Sequence, residues 1–343
     1  MTKIIPLRYS DIENVRKMIE YVSPGILTGK CNDEAVMHSP FNFISRMLPL
    51  NLKFSQESYV ALEGREVLGL ISLIPDGNQK KRWRINRLIL MPNAYDAGKY
   101  LIDYVVNKFG GAGVEIFLTS INENYTEALT LFKTSCSFRS WSKINIWEYG
   151  NLKNLELSDN HIKLRKAETY DAGKLLELDT EALYPQFKTA FAKKEKDFRF
   201  GIKNKISNRL KNYKIMRFVL ENGQKDSIES LLTILTEDNE TFWIDITLSL
   251  ACQEYYNEIL YFALNKISSI NSGAKLYISV RDFQQTGKKM TEVLSSHNFK
   301  QVKSFEILIK DYWKPIESTE ENGVPIILFS DRTSPACMFF NWQ

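Results

Sequence analysis

Apolar and polar positions along this 343-residue chain switch between a helical period and a strand period, and the order of the switches occurs twice. Over residues 8–21, Ile12, Val15, Met18 and Ile19 recur at helical spacing. Residues 23–52 are less regular, with Pro24, Gly25, Gly29 and Pro40 around a short apolar stretch near Phe41 to Met47. The period then becomes that of strands. Tyr59 to Leu62, a turn at Glu63-Gly64-Arg65-Glu66, and Val67 to Leu73 predict an antiparallel hairpin, and residues 84–91 predict a third strand. Leu101, Ile102, Val105, Val106 and Phe109 mark one face of a helix, with Gly110-Gly111 as its stop. A strand over 114–119, a helix over 126–133 and a strand over 141–149 complete the first pass.

The second pass repeats the order. A strand at 162–164, a helix at 172–178 and a basic helical region precede strands near 216–220, 228–236 and 242–250. A helix over 254–267 carries Tyr256, Ile259, Leu260, Ala263, Leu264 and Ile267 on one face. A strand at 276–280, a helix at 288–296 and a strand at 304–309 follow. Ile5-Pro6-Leu7-Arg8 matches Ile162-Lys163-Leu164-Arg165, each running toward an acid, Asp11 or Asp171, at the head of a helix. Phe138-Arg139-Ser140-Trp141 similarly matches Phe299-Lys300-Gln301-Val302. The expected fold class is therefore α/β, an α+β mixed sheet in each of two consecutive domains. These span residues 1–150 and 161–315, joined by a polar linker at 151–160 and followed by a tail at 316–343 in which 324–329 is a candidate edge strand. The length independently favours two cores over one.

Composition changes this picture little. With 44% hydrophobic and 25% charged residues the chain is globular rather than disordered. No apolar run approaches the roughly 20 residues of a membrane span, so a soluble, cytoplasmic protein is expected, with no membrane partner. Cys31, Cys136, Cys252 and Cys337 are far apart, as are His38, His161 and His297, which gives no metal site and no Ser-His-Asp triad. Charge is informative only locally. Of a net charge of +4, the stretch from Lys188 to Lys214 holds ten Lys or Arg against Glu195 and Asp197, leaving the remainder at −4. Interleaved with Phe187, Phe191, Phe198, Phe200 and Tyr213, it reads either as an amphipathic helix pair with a solvated face or as a surface for an acidic partner. Lys80, Lys81, Arg82 and Arg84 form a second basic spot, but dispersed aromatics and modest overall charge argue against nucleic acid.

The run Val60-Ala61-Leu62-Glu63-Gly64-Arg65-Glu66-Val67-Leu68-Gly69-Leu70-Ile71-Ser72-Leu73, leading into a strand, a proline, a loop and a helix, resembles the GNAT superfamily of acyl-CoA-dependent N-acyltransferases. The resemblance covers nearly all of residues 3–150 and, more weakly, 161–312. It implies a bulged fourth strand that splays from the fifth to admit the pantetheine arm. It also implies a loop of pattern R/Q-x-x-G-x-G/A holding the pyrophosphate at a helix N-terminus. Here that stretch reads Leu88-Ile89-Leu90-Met91-Pro92-Asn93-Ala94-Tyr95-Asp96-Ala97-Gly98-Lys99. The proline and Gly98 are present, the leading Arg or Gln is absent, and Asp96 has the wrong sign for a pyrophosphate. The resemblance assigns acetyl-CoA, as co-substrate, to the backbone of Leu88, Ile89, Leu90 and Met91. It assigns the phosphates to Asn93, Ala94, Tyr95, Ala97, Gly98 and Lys99, with Asn124 completing the cofactor contacts.

For catalysis the family often carries a Glu on the fourth strand, where this chain has Asn86, and a Tyr after the fifth strand in a motif like N-x-x-A-x-x-L-Y-x-x-x-G-F. Asn124, Ala128, Leu131, Phe132 and Phe138 echo that motif with spacing off by one, and Phe132 has no hydroxyl, which leaves Tyr125 as the candidate acid. Glu63 and Glu66 read as solvated turn residues. In the second copy Asp245 falls where the base would be, as a candidate base or as a partner-bonded acid. Residues 250–258 hold no glycine, so CoA is not expected there. The implied activity is direct transfer of an acetyl group to an amine that enters beside residues 23–52. The alternative is an inactive GNAT-fold module that senses CoA or docks a partner, supported by the joint loss of glycines, Glu and Tyr.

Overall fold

The computed structural model describes residues 2–21, 56–76, 80–150, 152–154, 162–200, 214–222 and 226–313. The acceptor-side segment 23–52, most of the 151–160 stretch, residues 201–213 of the basic segment and the tail with its candidate strand lie outside the described residues. In chain order the elements are β1 (Lys3–Pro6), α1 (Ile12–Tyr21), β2 (Glu57–Glu63), β3 (Glu66–Pro75), β4 (Arg82–Leu90), α2 (Tyr95–Gly111), β5 (Ile116–Asn122), α3 (Thr126–Thr130) and β6 (Arg139–Tyr149). The repeat supplies β7 (Arg165–Lys166), α4 (Ala172–Ala182), β8 (Lys214–Asn222), β9 (Ser227–Thr236), β10 (Thr241–Leu248), α5 (Tyr256–Ser268), β11 (Lys275–Arg281), α6 (Gly287–Ser296) and β12 (Lys300–Asp311).

These elements build two compact units that do not follow chain order: one is Met1–Trp141 with Glu306–Gln343, the other Ser142–Phe305. The strands of the first unit run β1-β2-β3-β4-β5-β12. One sheet face buries Tyr59, Ile71, Leu73, Ile85, Leu88 and Leu90 against Leu101, Ile102 and Val105 of α2. The other buries Val60, Leu70 and Ile89 against Val15 and Met18 of α1. Each such aliphatic side chain contributes about 1.5–3 kcal/mol on burial. The terminal strand β12 is anchored where the Tyr312 N–H donates to Glu115 O at 2.8 Å. The Tyr312 ring lies directly on Gly110, where a Cβ would stand 2.4 Å from ring carbon. Gly110-Gly111 therefore does not stop the helix as expected. α2 runs through Gly111, Gly110 makes room for an aromatic ring, and the left-handed residue that turns the chain is Gly113, at φ +101°.

In the second unit the order is β6-β11-β10-β9-β8-β7. α5 lays Tyr256, Ile259, Leu260, Ala263, Leu264 and Ile267 on one sheet face, and α4 packs Leu175 and Leu178 on the other. Hydrogen bonds fix how the copies correspond. Leu7 N–H donates to Ser58 O as Ala167 N–H donates to Arg217 O. Asp11 Oδ2 accepts from Arg8 N–H at 2.9 Å as Asp171 Oδ2 accepts from Glu168 N–H at 2.7 Å. The match is thus Pro6 to Asp11 with Lys166 to Asp171, three residues on from the expected pairing, and residues 162–164 form no strand. Both acids stand in a first helical turn and reach back to an amide three residues earlier. The copies agree again at Ser137 (φ +56°) and Asn298 (φ +59°), each left-handed and each followed by a buried phenylalanine, Phe138 or Phe299.

Candidate functional site

In the first unit β4 and β5 run parallel, but their ladder is short: Arg82 pairs with Ile116, Trp83 with Phe117 and Arg84 with Leu118. Beyond that point Thr119 Oγ1 donates to Ile85 O at 3.1 Å. On its other edge β4 pairs with β3 as far as Leu90, with one break: Arg87 stands opposite Ser72 and Ile85 opposite Leu73, leaving Asn86 as the extra residue of a bulge. The bulge explains a phase change in the sequence, since Ile85 and Leu88 both face α2 although three residues apart. Asn86 is 6% exposed, and its Oδ1 is buried with no hydrogen-bond partner. Met91 N–H donates to Leu68 O at 2.9 Å. Strand alternation then turns Ile89 and Met91 toward β3, and the N–H and C=O of Leu88 and Leu90 toward the β5 side.

The connection from β4 to α2 is the tight turn Met91-Pro92-Asn93-Ala94, closed by Ala94 N–H donating to Met91 O at 3.1 Å. Proline at its second position and Asn93 at φ +64° in its third are the residues such a turn favours. α2 begins at Tyr95 with no side-chain cap. The amides of Tyr95, Asp96 and Ala97 have no acceptor within the helix, and the positive end of its dipole lies there. The Ala94 and Gly98 amides are occupied, the latter by Ala94 O at 3.1 Å. Gly98 serves packing: a Cβ there would stand 2.5 Å from Leu90 Cδ1 and 2.9 Å from Leu131 Cδ2. Lys99 does not offset Asp96. Its Nζ is bound to Asp103 at 2.7 Å, which raises its pKa.

At the end of β5, Asn122 Oδ1 accepts the Asn124 N–H at 3.0 Å, and Tyr125, half-buried against the core, precedes α3. Since β4 and β5 are parallel, Tyr125 and the turn after β4 lie toward the same end of the sheet. α3 passes into a π-turn over Leu131–Ser135, in which Cys136 N–H donates to Leu131 O at 3.1 Å. That turn holds one residue more than an α-helix would, which accounts for the off-by-one spacing between Phe132 and Phe138, and Ser137 stands where the motif has its glycine. Phe132 is fully buried against Phe138 at 5.1 Å. Ser135 Oγ and Tyr95 Oη share a hydrogen bond of 2.7 Å, tying the π-turn to the first residue of α2.

The second unit differs at each of these points. β10 pairs with β9 from Phe242 to Leu248 without a break, so it has no bulge, and its parallel ladder with β11 extends over five pairs to Asp245 and Ser279. Gln284 closes the space beyond: its backbone bridges Leu183 and its Nε2 donates to Thr247 Oγ1 at 3.3 Å. The buried faces of α2 and α5 superpose in register, Leu101 on Ile259 and Phe109 on Ile267, which sets Tyr256 at the position of Gly98. The Tyr256 phenol is wholly buried, has no hydrogen-bond partner, and is pushed well above its ordinary pKa by burial and then by Asp245. Glu229 accepts from Ser249 Oγ at 2.5 Å, placing a carboxylate on the turn that follows β10. Asp245 is bound to Arg281 at 2.7 Å and Ser279 at 3.2 Å; burial opposes its ionisation, but the guanidinium wins and holds its pKa below the usual range. Of its two readings the partner-bonded acid is the one observed.

Elsewhere, Cys136 is a packing thiol whose pKa burial raises to about 12. Among the described residues no group of His, Cys, Asp or Glu could hold a metal ion, and no helix is long and apolar enough to cross a membrane. In the described part of the basic segment Lys193 binds Asp179 at 2.5 Å, Phe191 stacks on Phe283 at 4.2 Å and Phe198 is buried, so these side chains serve the second unit's own packing.

No family model and no curated protein sequence matches the chain. Solved structures do. A tandem GNAT protein from the clavulanic acid biosynthesis pathway, solved without AcCoA, superposes with a TM-score of 0.58 at 8% identity over 91% of this chain and 99% of that one. The chain has the tandem GNAT fold. GCN5-related N-acetyltransferases from Sphaerobacter thermophilus (TM-score 0.55, 12% identity, 91% of this chain and 96% of that one) and Anabaena variabilis ATCC 29413 (0.51, 11%, 91% and 73%) share it. At these identities the likeness is one of GNAT fold, and the argument for chemistry rests on the residues.

Proposed function

We propose that the first unit is an N-acyltransferase that binds an acyl-CoA, with acetyl-CoA as the test ligand, and transfers its acyl group to an amine. The observation that carries this reading is the departure of β4 from β5 after three residue pairs, beside a bulge at Asn86 that the corresponding strand β10 lacks. An extended pantetheine arm has amide groups that pair with Leu88 and Leu90 as a further strand would. The diphosphate meets the free amides of Tyr95, Asp96 and Ala97. In the transfer, the amine nitrogen lone pair forms a bond to the thioester carbonyl carbon, the carbon–sulfur bond breaks, and its electron pair leaves with the sulfur. Nitrogen loses a proton and sulfur gains one, with the Tyr125 phenol and solvent as carriers. Asn86 Oδ1, an acceptor in need of a donor, takes an N–H of the incoming amine and directs its lone pair.

Titration calorimetry with acetyl-CoA tests the reading; one site per chain is expected, and neither heat nor a thermal shift at millimolar ligand removes it. Asp96→Lys, at an exposed position in the first helical turn, is expected to tighten binding about fivefold, the equivalent of about 1 kcal/mol at a helix N-terminus. A second reading, binding without turnover, draws on Phe132 and Asn86, where the motif's hydroxyl and carboxylate are missing. Release of free CoA thiol in the presence of amines separates the two.

A further inference from the structure

We propose that the second unit binds a small zwitterion of amino-acid type through the open edge of the Arg281–Asp245 ion pair. The site is independent of acyl transfer in the first unit. Ile244 and Ile246 of β10, with Ile278 and Val280 of β11, face α5. By strand alternation Asp245, Thr247, Ser279 and Arg281 therefore face the α4 side. Asp245 and Ser279 form the last pair of the parallel ladder, and Arg281 stands two residues past its end. The pair is enclosed and yet reachable. Asp245 keeps 36% and Arg281 21% of its side-chain surface exposed. Burial is nonetheless the largest influence on the ionisation of each; it opposes both charges, and their mutual attraction overrides it. Side chains that protein surrounds without sealing stand at the floor of a recess, where a charge acts on a ligand with little screening.

The bonding within the recess leaves one edge of the pair open. Arg281 spends its Nη2 on Asp245 Oδ2, at 2.7 Å, and among the described residues its other guanidinium N–H groups meet no acceptor. Asp245 Oδ1 accepts from Ser279 Oγ at 3.2 Å, and each carboxylate oxygen, holding two lone pairs, has capacity left. Nearby, Lys193 and Asp179 bind each other at 2.5 Å and so neutralise each other, while both lie close enough to act on the Arg281–Asp245 pair. The corner thus holds two cations and two anions. An anion alone on the guanidinium is repelled by Asp245, and a cation alone on the carboxylate is repelled by Arg281. A ligand with both charges side by side is attracted by both. Its carboxylate takes the free donors of the Arg281 fork, and its ammonium takes the free lone pairs of Asp245. An α-amino acid carries that arrangement on a single carbon.

Equilibrium dialysis of the full chain against an equimolar, millimolar mixture of the standard amino acids tests the proposal, with amino-acid analysis of what the protein retains. We expect one equivalent per chain of one amino acid or a chemically related set. The Nα-acetyl derivative and the amide of the retained amino acid each lack one of the two charges, and calorimetry is expected to show each binding at least tenfold more weakly. Arg281→Lys keeps the positive charge but lacks the fork, and is expected to reduce affinity at least tenfold. Asp245→Asn combined with Arg281→Gln removes both charges together, leaves neither buried alone, and is expected to abolish retention. Should Arg281→Lys fail to fold, the double variant decides. No retention by the parent chain overturns the proposal. So does equal retention by the folded variants, which would place the amino acid elsewhere in the chain, or undiminished binding of either singly charged derivative.

Discussion

At the scale of single residues, Gly98 and Tyr256 form a comparison that the chain makes with itself. They hold the same helical register, one open to Leu90 and Leu131, the other filling its corner with a phenol that has no hydrogen-bond partner. Gly98→Ala places a methyl against two leucines and is expected to cost about 1–3 kcal/mol in chemical denaturation. Tyr256→Phe removes a buried hydroxyl that nothing satisfies and is expected to stabilise the chain by about 1 kcal/mol. The glycine was visible in the sequence, but its use was not: a lone glycine before a helix suggests a phosphate loop, and only the leucine positions show that it clears space for packing. Asp171 carries a pH dependence. Burial opposes its ionisation, and the Arg165 bonds at 2.8 and 2.7 Å with the Glu168 amide win, so its pKa is depressed. Its contribution is present above the unfolded carboxylate range near 4 and is lost as pH falls through the lower folded value. Asp171→Asn is expected to flatten that acid limb of thermal stability, with a loss of about 1–3 kcal/mol at pH 7.

At the scale of elements, helix and strand order could be read from periodicity, because each helix buries a stripe and each strand a face. The irregularities were harder to see. The π-turn over Leu131–Ser135 appeared in the sequence only as a motif out of step by one, since a one-residue excess has no propensity signature. The bulge at Asn86 did leave a trace, in core residues three apart within a strand, but alternation can be broken by an edge or a turn as readily. The first turn of α2 allows a direct test. The amides of Tyr95, Asp96 and Ala97 lack helical acceptors and are expected to exchange with solvent rapidly, then to gain protection when acetyl-CoA is added, as mass-resolved hydrogen exchange would register. Unchanged exchange at saturating ligand would place the diphosphate elsewhere.

At the scale of the whole molecule, the duplication was evident in the sequence, whereas the membership of the terminal strands was not, because local patterning shows that a segment is a strand without showing its neighbour. The compact units take Glu306–Gln343 with the first copy's residues and Ser142 onward with the second's. A fragment of residues 1–150 therefore lacks β12 and leaves β5 with an open edge. It is expected to aggregate when expressed alone, and to regain a cooperative melt when residues 306–313 are fused after it by a flexible linker. This arrangement also sets a schedule on the ribosome. The half translated first is the half finished last, since its closing strand emerges only after the entire repeat, and at roughly 5–20 residues per second the delay is on the order of ten seconds or more. Throughout that interval the nascent chain presents an unfinished sheet, and under the proposed acyl-CoA reading truncated translation products that stop short of β12 are expected to lack acyl-CoA binding.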